Sequence, residues 1–362
     1  TPLSTSLVNA LELLQGYVAI TAGGLIADGS KTEVKAGRLT LDMGSRRLVG
    51  RAGFRNTINA FTGIDARWTG AGGGKLRAFF TLPVDRRPNT RAALSDNRVA
   101  FDDESWSQRF WSVYYAEPEL PWGDRGEVYL FGLDEYDSSR RATADRTLYT
   151  PGFRLYRPAA GGAFDYQVEA IVQFGESRAS TAATDVAVLD HLAHFEHFEV
   201  GYSFATHWSP RLIAQYDYAS GDDDPADGRN NRFDPLFGAR RFDFGPTDIY
   251  GPFARSNLSS PGLRLEVKPA PGVDGMLAGR SFWLASDRDT WTGAGVRDAT
   301  GASGGFLGTQ VEARLRWQVV PGNLQLEAGY AHLFAGSFAD RAPNATGEGD
   351  TDFAYGQMAL TF

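Results

Sequence analysis

Apolar and polar residues alternate along most of this chain. Within 311–319, Glu312, Arg314, Arg316 and Gln318 fall on one face of an extended strand, and Val311, Ala313, Leu315, Trp317 and Val319 fall on the other. Within 164–172, Asp165, Gln167 and Glu169 oppose Phe164, Tyr166, Val168, Ala170 and Val172. Arg264, Glu266 and Lys268 oppose Leu263, Leu265 and Val267, while Gln215 and Asp217 oppose Leu212, Ala214, Tyr216 and Tyr218. A period of two marks a strand with two unlike faces.

The connections also alternate. Short Gly/Pro turns fall at 71–74, 121–126, 159–162, 207–211, 269–275 and 320–323. Long polar connections fall at 44–57, 85–106, 137–147, 175–190, 219–257, 286–308 and 337–350. Outer-membrane barrels are built this way, with short turns at the periplasmic end and long loops outside. The pattern predicts about 15 strands. They lie near 14–23, 32–43, 58–69, 75–84, 107–117, 127–136, 148–157, 163–174, 193–205, 211–219, 258–268, 276–286, 309–319, 324–335 and 352–362. The expected fold class is all-β, a transmembrane antiparallel β-barrel forming one domain over 1–362. The count is odd, whereas single-chain bacterial barrels have even numbers. Its first strands are therefore expected before Thr1 or hidden in 1–13. The last segment, 353–362, alternates and ends in Phe362, which resembles the terminal signal of outer-membrane barrels.

Composition narrows the classes. The 362 residues include 42 Gly and 13% aromatics, which suit many strands and tight turns, and no Cys, which removes disulfides and thiolate metal sites. A net charge of −8 argues against a general nucleic-acid binder. No stretch approaches the roughly 20 apolar residues of a spanning helix. That leaves barrels untouched, because only alternate strand residues face lipid.

Two segments carry a family resemblance. The first runs Ala36-Gly-Arg-Leu-Thr-Leu-Asp-Met-Gly-Ser-Arg-Arg-Leu-Val-Gly50, then Arg51, Phe54-Arg55-Asn56 and Ala60-Phe61-Thr62-Gly63-Ile64. The second runs from Ala219 through Gly221-Asp222-Asp223-Asp224 and Asp227-Gly228 to Phe233-Asp-Pro-Leu-Phe237. Both resemble the alginate export family of outer-membrane channels. The resemblance implies a barrel of about 18 strands, with an Arg-rich lumen that passes an acidic polysaccharide. It does not fix the polymer.

The alternation independently supplies inward candidates. Arg38, Arg67, Arg77, Arg154, Arg264, Arg314 and Arg316 lie on polar faces, with Asp65, Asp165, Glu169, Asp217, Glu266 and Glu312 on the same faces. A lipid-facing Arg near midplane costs about 2–4 kcal/mol, so mid-strand charges point inward. The Arg fork pairs with a carboxylate through two hydrogen bonds and stays charged, which suits a polyuronate. The alternative for any one Arg is simple neutralisation by a neighbouring carboxylate. Arg46, Arg47, Arg51 and Arg55 form a basic run after the second strand, expected to fold into the pore, with lipopolysaccharide phosphates as the alternative partner. Arg240 and Arg241 are weaker candidates of the same kind.

Asp222, Asp224 and Asp227 are a candidate Ca²⁺ group, although the spacing departs from the EF-hand loop and a solvated acidic loop is the competing reading. No other cofactor is expected. His194 and His197 fall on opposite strand faces, which disfavours a shared metal. Trp106, Trp111, Tyr114, Tyr115, Trp122, Trp208, Trp283, Trp291 and Trp317 lie near strand ends, where interfacial aromatic girdles belong. Hydrolase and P-loop motifs are missing from the sequence, so an enzyme is not expected. Three functions stay open: an exit channel for an anionic exopolysaccharide, a porin for small acidic solutes, and a soluble β-rich lectin or lyase. The expected partners are outer-membrane lipids, the polysaccharide and periplasmic scaffold proteins, around a monomer without nucleic acid.

Overall fold

The computed structural model describes residues 3–139, 141–247, 249–347 and 349–361, so Phe362 lies outside the described residues. Seventeen strands form among them: β1 (Gly16–Gly23), β2 (Lys31–Leu39), β3 (Phe61–Thr69), β4 (Lys75–Asp85), β5 (Asp103–Glu104), β6 (Gln108–Glu117), β7 (Arg125–Glu135), β8 (Thr147–Arg157), β9 (Ala163–Ser177), β10 (Leu189–Ser203), β11 (Arg211–Ala219), β12 (Arg229–Asn230), β13 (Leu258–Ala270), β14 (Val273–Trp283), β15 (Phe306–Val320), β16 (Leu324–Ala335) and β17 (Thr351–Leu360). They belong to a 17-stranded sheet. Two of them, β5 and β12, are two residues long, and the rest correspond to the alternating segments of the sequence. Three single-turn helices, α1 (Arg91–Ser95), α2 (Arg241–Phe244) and α3 (Ser337–Arg341), lie in the long connections.

The boundaries move where local pairing outranks pattern. Strand β14 begins at Val273, three residues earlier than expected, because the turn before it is only Pro271–Gly272. Strand β10 begins at Leu189, since Asp190 and His191 pair in parallel with Arg229 and Asn230 of β12. Strand β2 stops at Leu39, because Leu41 and Met43 turn into a buried connection instead. The described residues 3–15 form turns and bends with no strand.

The chain divides into two compact units. The first comprises Thr1–Phe153, Ile171–Ala193 and Ala226–Gly251. In it β1, β2, β3, β4, β6 and β7 pair antiparallel in chain order. Its core holds Phe61, Phe79, Phe110 and Phe131. Phe237, from the long connection after β11, packs edge-on against Phe61 and Phe110, with ring centroids 5.0 and 4.8 Å apart. The second unit comprises Arg154–Ala170, His194–Pro225 and Pro252–Phe362. There β10, β11, β13, β14, β15, β16 and β17 pair antiparallel in sequence. Phe253 stacks on Phe282 at 3.5 Å inside it.

Burial is inverted relative to a water-soluble sheet. Leu263, Leu315 and Trp317 are 60%, 53% and 48% exposed, whereas Asp165, Asp217 and Glu312 on the opposite faces are 2%, 1% and 5% exposed. Rows of exposed Leu, Val and Phe recur on β9, β10, β11, β13 and β15. A water-facing surface rarely carries such contiguous apolar area. A strand facing lipid on one side and a polar interior on the other requires it.

Candidate functional site

The buried face of the second unit gathers its charges around Arg211, the first residue of β11. Arg211 is the register partner of Ser203 on one side and Glu266 on the other. Its guanidinium therefore reaches three carboxylates: Asp165 on β9, Glu199 on β10 at 2.8 Å and Glu266 on β13 at 3.4 Å. Arg264 donates to Gln215 at 2.8 Å and stands 3.6 Å from Glu266. Arg314 and Arg316 lie 3.8 and 3.9 Å from Asp274. Arg316 also pairs with Glu327 at 2.7 Å, and the Tyr355 hydroxyl donates to that same carboxylate at 2.8 Å. Arg154 donates to Gln167 at 2.6 Å and lies 4.0 Å from the centre of the Tyr156 ring, a cation–π contact.

Three of these arginines converge with a lysine. Arg211, Lys268, Arg314 and Arg316, with Glu266 and Asp274, line a cavity of about 570 Å³ beside the short turns of this unit. Behind the cavity wall, Asp165, Glu199 and Glu327 hold Arg211 and Arg316 in place. The arrangement offers oriented charged donors at a fixed spacing. Carboxylates nearby, Glu266 and Asp274, temper the positive field.

Farther along the same strands, a chain of charges is fully enclosed. Arg280 of β14 pairs with Asp217 of β11 and donates to Ser260 at 2.7 Å. The other Asp217 oxygen lies 2.9 Å from His197 Nδ1. His194 is exposed on the opposite face of β10 beside Glu196, and the two histidines share no ligand.

The first unit repeats the theme with a different outcome. Asp65 is 1% exposed and takes both nitrogens of the Arg77 fork, at 2.7 and 3.0 Å, plus Arg67 at 2.9 Å. Arg38 pairs with Glu104 at 2.6 Å. The connection 40–60 lies folded and partly buried, with Leu41, Met43, Leu48 and Val49 all under 6% exposed. Arg77 donates to the Asp42 carbonyl at 2.9 Å, which ties that connection to β4. Of the four arginines in the run, Arg47 is buried and bidentate on Asp243 at 3.0 and 3.1 Å. Arg46 pairs with Asp42 at 3.1 Å, the Arg51 N–H donates to the same carboxylate, and Arg55 donates to Asn59 and the Thr57 carbonyl at 2.9 Å.

The two family-like segments dock on each other here. Val49 bridges Phe237 in parallel, and the Gly50 N–H donates to the Phe237 carbonyl at 3.1 Å. Gly238 lies so close to the Arg47 carbonyl that a Cβ would collide with it. Asp234 pairs with Arg146, its N–H donates to Gln173 Oε1 at 2.9 Å, and its carbonyl accepts from Gln173 Nε2 at 3.2 Å. Burial opposes the charge on Asp234. Arg146 and the Leu236 N–H outweigh it and hold the carboxyl below its ordinary range. Arg146, clasped between Asp234 and Glu135, is raised despite the same burial penalty.

Several functional candidates escaped the sequence pattern. Arg211 sits where a turn ends, so alternation alone did not mark its direction. Arg280 is flanked by Gly275, Ala278 and Gly279, small residues that erase the contrast between faces. Two aromatic assignments are also corrected. Trp291 is buried, with its indole N–H donating to the Pro252 carbonyl at 2.7 Å, and Tyr114 is buried in a stack on Tyr129. Neither belongs to a girdle. The reasons are that the connection after β14 folds back and that Tyr114 shares the inward face of Phe110. Of the aspartates considered for Ca²⁺, Asp222 is buried and its N–H donates to Asp289. Asp224 and Asp227 are exposed, and the Asp227 carboxylate caps the Arg229 N–H. Among the described residues, no group of three or more His, Asp or Glu side chains is placed to hold a metal ion.

A family model described as alginate export matches residues 4–351. Solved structures from Pseudomonas aeruginosa share the fold. OccK10 (OpdN) gives a TM-score of 0.54 at 13% identity, covering 94% of this chain and 84% of that chain. The outer membrane protein opdK gives 0.53 at 14% identity, covering 91% and 77%. OpdK with vanillate gives 0.52 at 13% identity, covering 92% and 77%. No curated protein sequence matches the chain.

Proposed function

Because the chain belongs to the alginate export family, whose members are outer-membrane β-barrel channels, we propose that it conducts an anionic, alginate-like exopolysaccharide along an arginine-lined path. The observation that carries this reading is the cavity where Arg211, Arg314, Arg316 and Lys268 converge with two carboxylates. Arg154 and Arg264 add guanidinium groups on the polar faces of the same unit, held by Gln167 and Gln215. Side-chain partners fix these groups as oriented donors for a uronate carboxylate.

A second reading is a porin for small acidic solutes. The fold shared with OpdK, solved with the aromatic acid vanillate, supports it. Planar-bilayer recording separates the two. The export reading expects anion selectivity and block by added polyuronate. It also expects Arg314→Gln with Arg316→Gln to weaken that block by at least about tenfold, the loss of one charge-assisted pair. Cation selectivity would sink both readings, and block by small carboxylates but not by polyuronate would favour the porin.

A further inference from the structure

Trp208 lies in the tight connection between β10 and β11. It and Ser209 both have positive φ, 68° and 43°. A bulky residue is seldom held in that region, and such strain persists where the surroundings over-determine it, often at ligand sites. The turn is firmly tied: the Phe204 N–H donates to the Pro210 carbonyl at 2.8 Å, and the Lys268 N–H donates to the Trp208 carbonyl at 2.7 Å. Yet Trp208 is 51% exposed. Its ring neighbour is His207, with centroids 5.9 Å apart. The strain therefore does not serve to bury the ring.

The ring instead walls a second cavity, of about 450 Å³. Pro269 and Pro271 add to its apolar side, and Lys268, Asp274 and Gln318 supply polar groups. Lys268 and Asp274 also line the cavity that holds Arg211, Arg314 and Arg316. The two cavities share a wall.

We propose that Trp208 is a stacking platform for a sugar ring of the acidic polysaccharide, at the short-turn end that such barrels present to the periplasm. The proposal rests on the channel reading above. A pyranose has one face of C–H groups, which an indole covers, and a polar edge, which stays free for Lys268, Asp274 and Gln318. Its carboxylate then lies beside Lys268 and within reach of the arginine cavity. A Trp at a membrane interface would also be exposed. The polar groups shared with the arginine cavity favour a sugar acid over a lipid headgroup.

The test uses the whole chain in lipid vesicles and bilayers. The eight Trp residues are labelled with fluorotryptophan, and the Trp208 resonance is assigned with Trp208→Phe. Short oligouronates should shift that resonance. Trp208→Gly, which suits the positive φ, should weaken polyuronate block at least about threefold, and Trp208→Phe, which keeps a ring, should retain most of it. Unchanged block in Trp208→Gly while the unmodified channel is blocked overturns the platform and leaves the channel reading standing. A resonance broadened by nitroxide-labelled lipid and unmoved by oligouronate also overturns the platform, in favour of a membrane anchor. Absence of block in the unmodified channel overturns both.

Discussion

Arg280 shows how a charge survives on the buried face of these strands. It is 4% exposed, and its partner Asp217 is 1% exposed. Taken singly, neither ion could be enclosed at tolerable cost, since the effective desolvation penalty is several kcal/mol per ion. Together, with Ser260 and His197 supplying further hydrogen bonds, they offset that cost. Replacing Arg280 with Leu should leave the buried Asp217 without its guanidinium partner. The expected loss is about 3–5 kcal/mol, read from the urea midpoint of unfolding in micelles. An unchanged midpoint would show that the Arg280 pair does not stabilise the fold. Very little of this was legible beforehand. Asp217 was placed on the correct face by alternation, but its partner was hidden among glycines. The Arg211 group shows the same limit, because three acceptors on three strands meet only when the register is known.

At the scale of elements, the long connections carry contacts that alternation does not describe. The basic run after β2 is expected to fold into a pore; in the structure Arg47 is bound to Asp243, and its neighbours hold their own connection together. The segment 233–237 has become a wedge, with Phe237 among the inward aromatics and Asp234 clamped by Arg146. The Asp234 carboxyl is lowered below its ordinary value. Its contribution is therefore full above the unfolded carboxylate range, near pH 4. The contribution fades as pH falls through the depressed folded value. Acidification into that range should loosen the wedge and make single-channel current noisier and larger. Asp234→Asn should show the noisier current already at neutral pH and lose the acid transition. An acid transition persisting in Asp234→Asn would assign it to another group. The sequence marked both segments as special, through the family resemblance, but gave no sign that they dock on each other.

At the scale of the molecule, the inversion of faces decides the environment. The apolar rows seen in the sequence are the exposed rows of the structure, and the charged rows are enclosed. Leu315 is exposed in such a row, between Ala313 and Trp317. Leu315→Arg should destabilise the membrane-inserted state by about 2–4 kcal/mol, the cost of a lipid-facing Arg near midplane. Leu315→Phe should be nearly neutral. The comparison is made by refolding into lipid vesicles and following the shift in electrophoretic mobility on heating. Equal stability of the two variants would place Leu315 away from lipid.

The sequence by itself determined the strands, their two faces and the family. Period two places alternate side chains on opposite sides whatever the strand pairs with, so Leu263 and Arg264 were separated before any partner was known. Tertiary structure alone decided which charges meet and where the connections go. Arg47 and Asp243 stand 196 positions apart, and Arg146 and Asp234 stand 88 apart. Contacts at such separations depend on register and on how a loop packs, and neither leaves a periodic trace in the chain. Alternation could therefore say that Arg314 and Arg316 face inward. Only the folded strands could bring Arg211 and Lys268 to the same cavity.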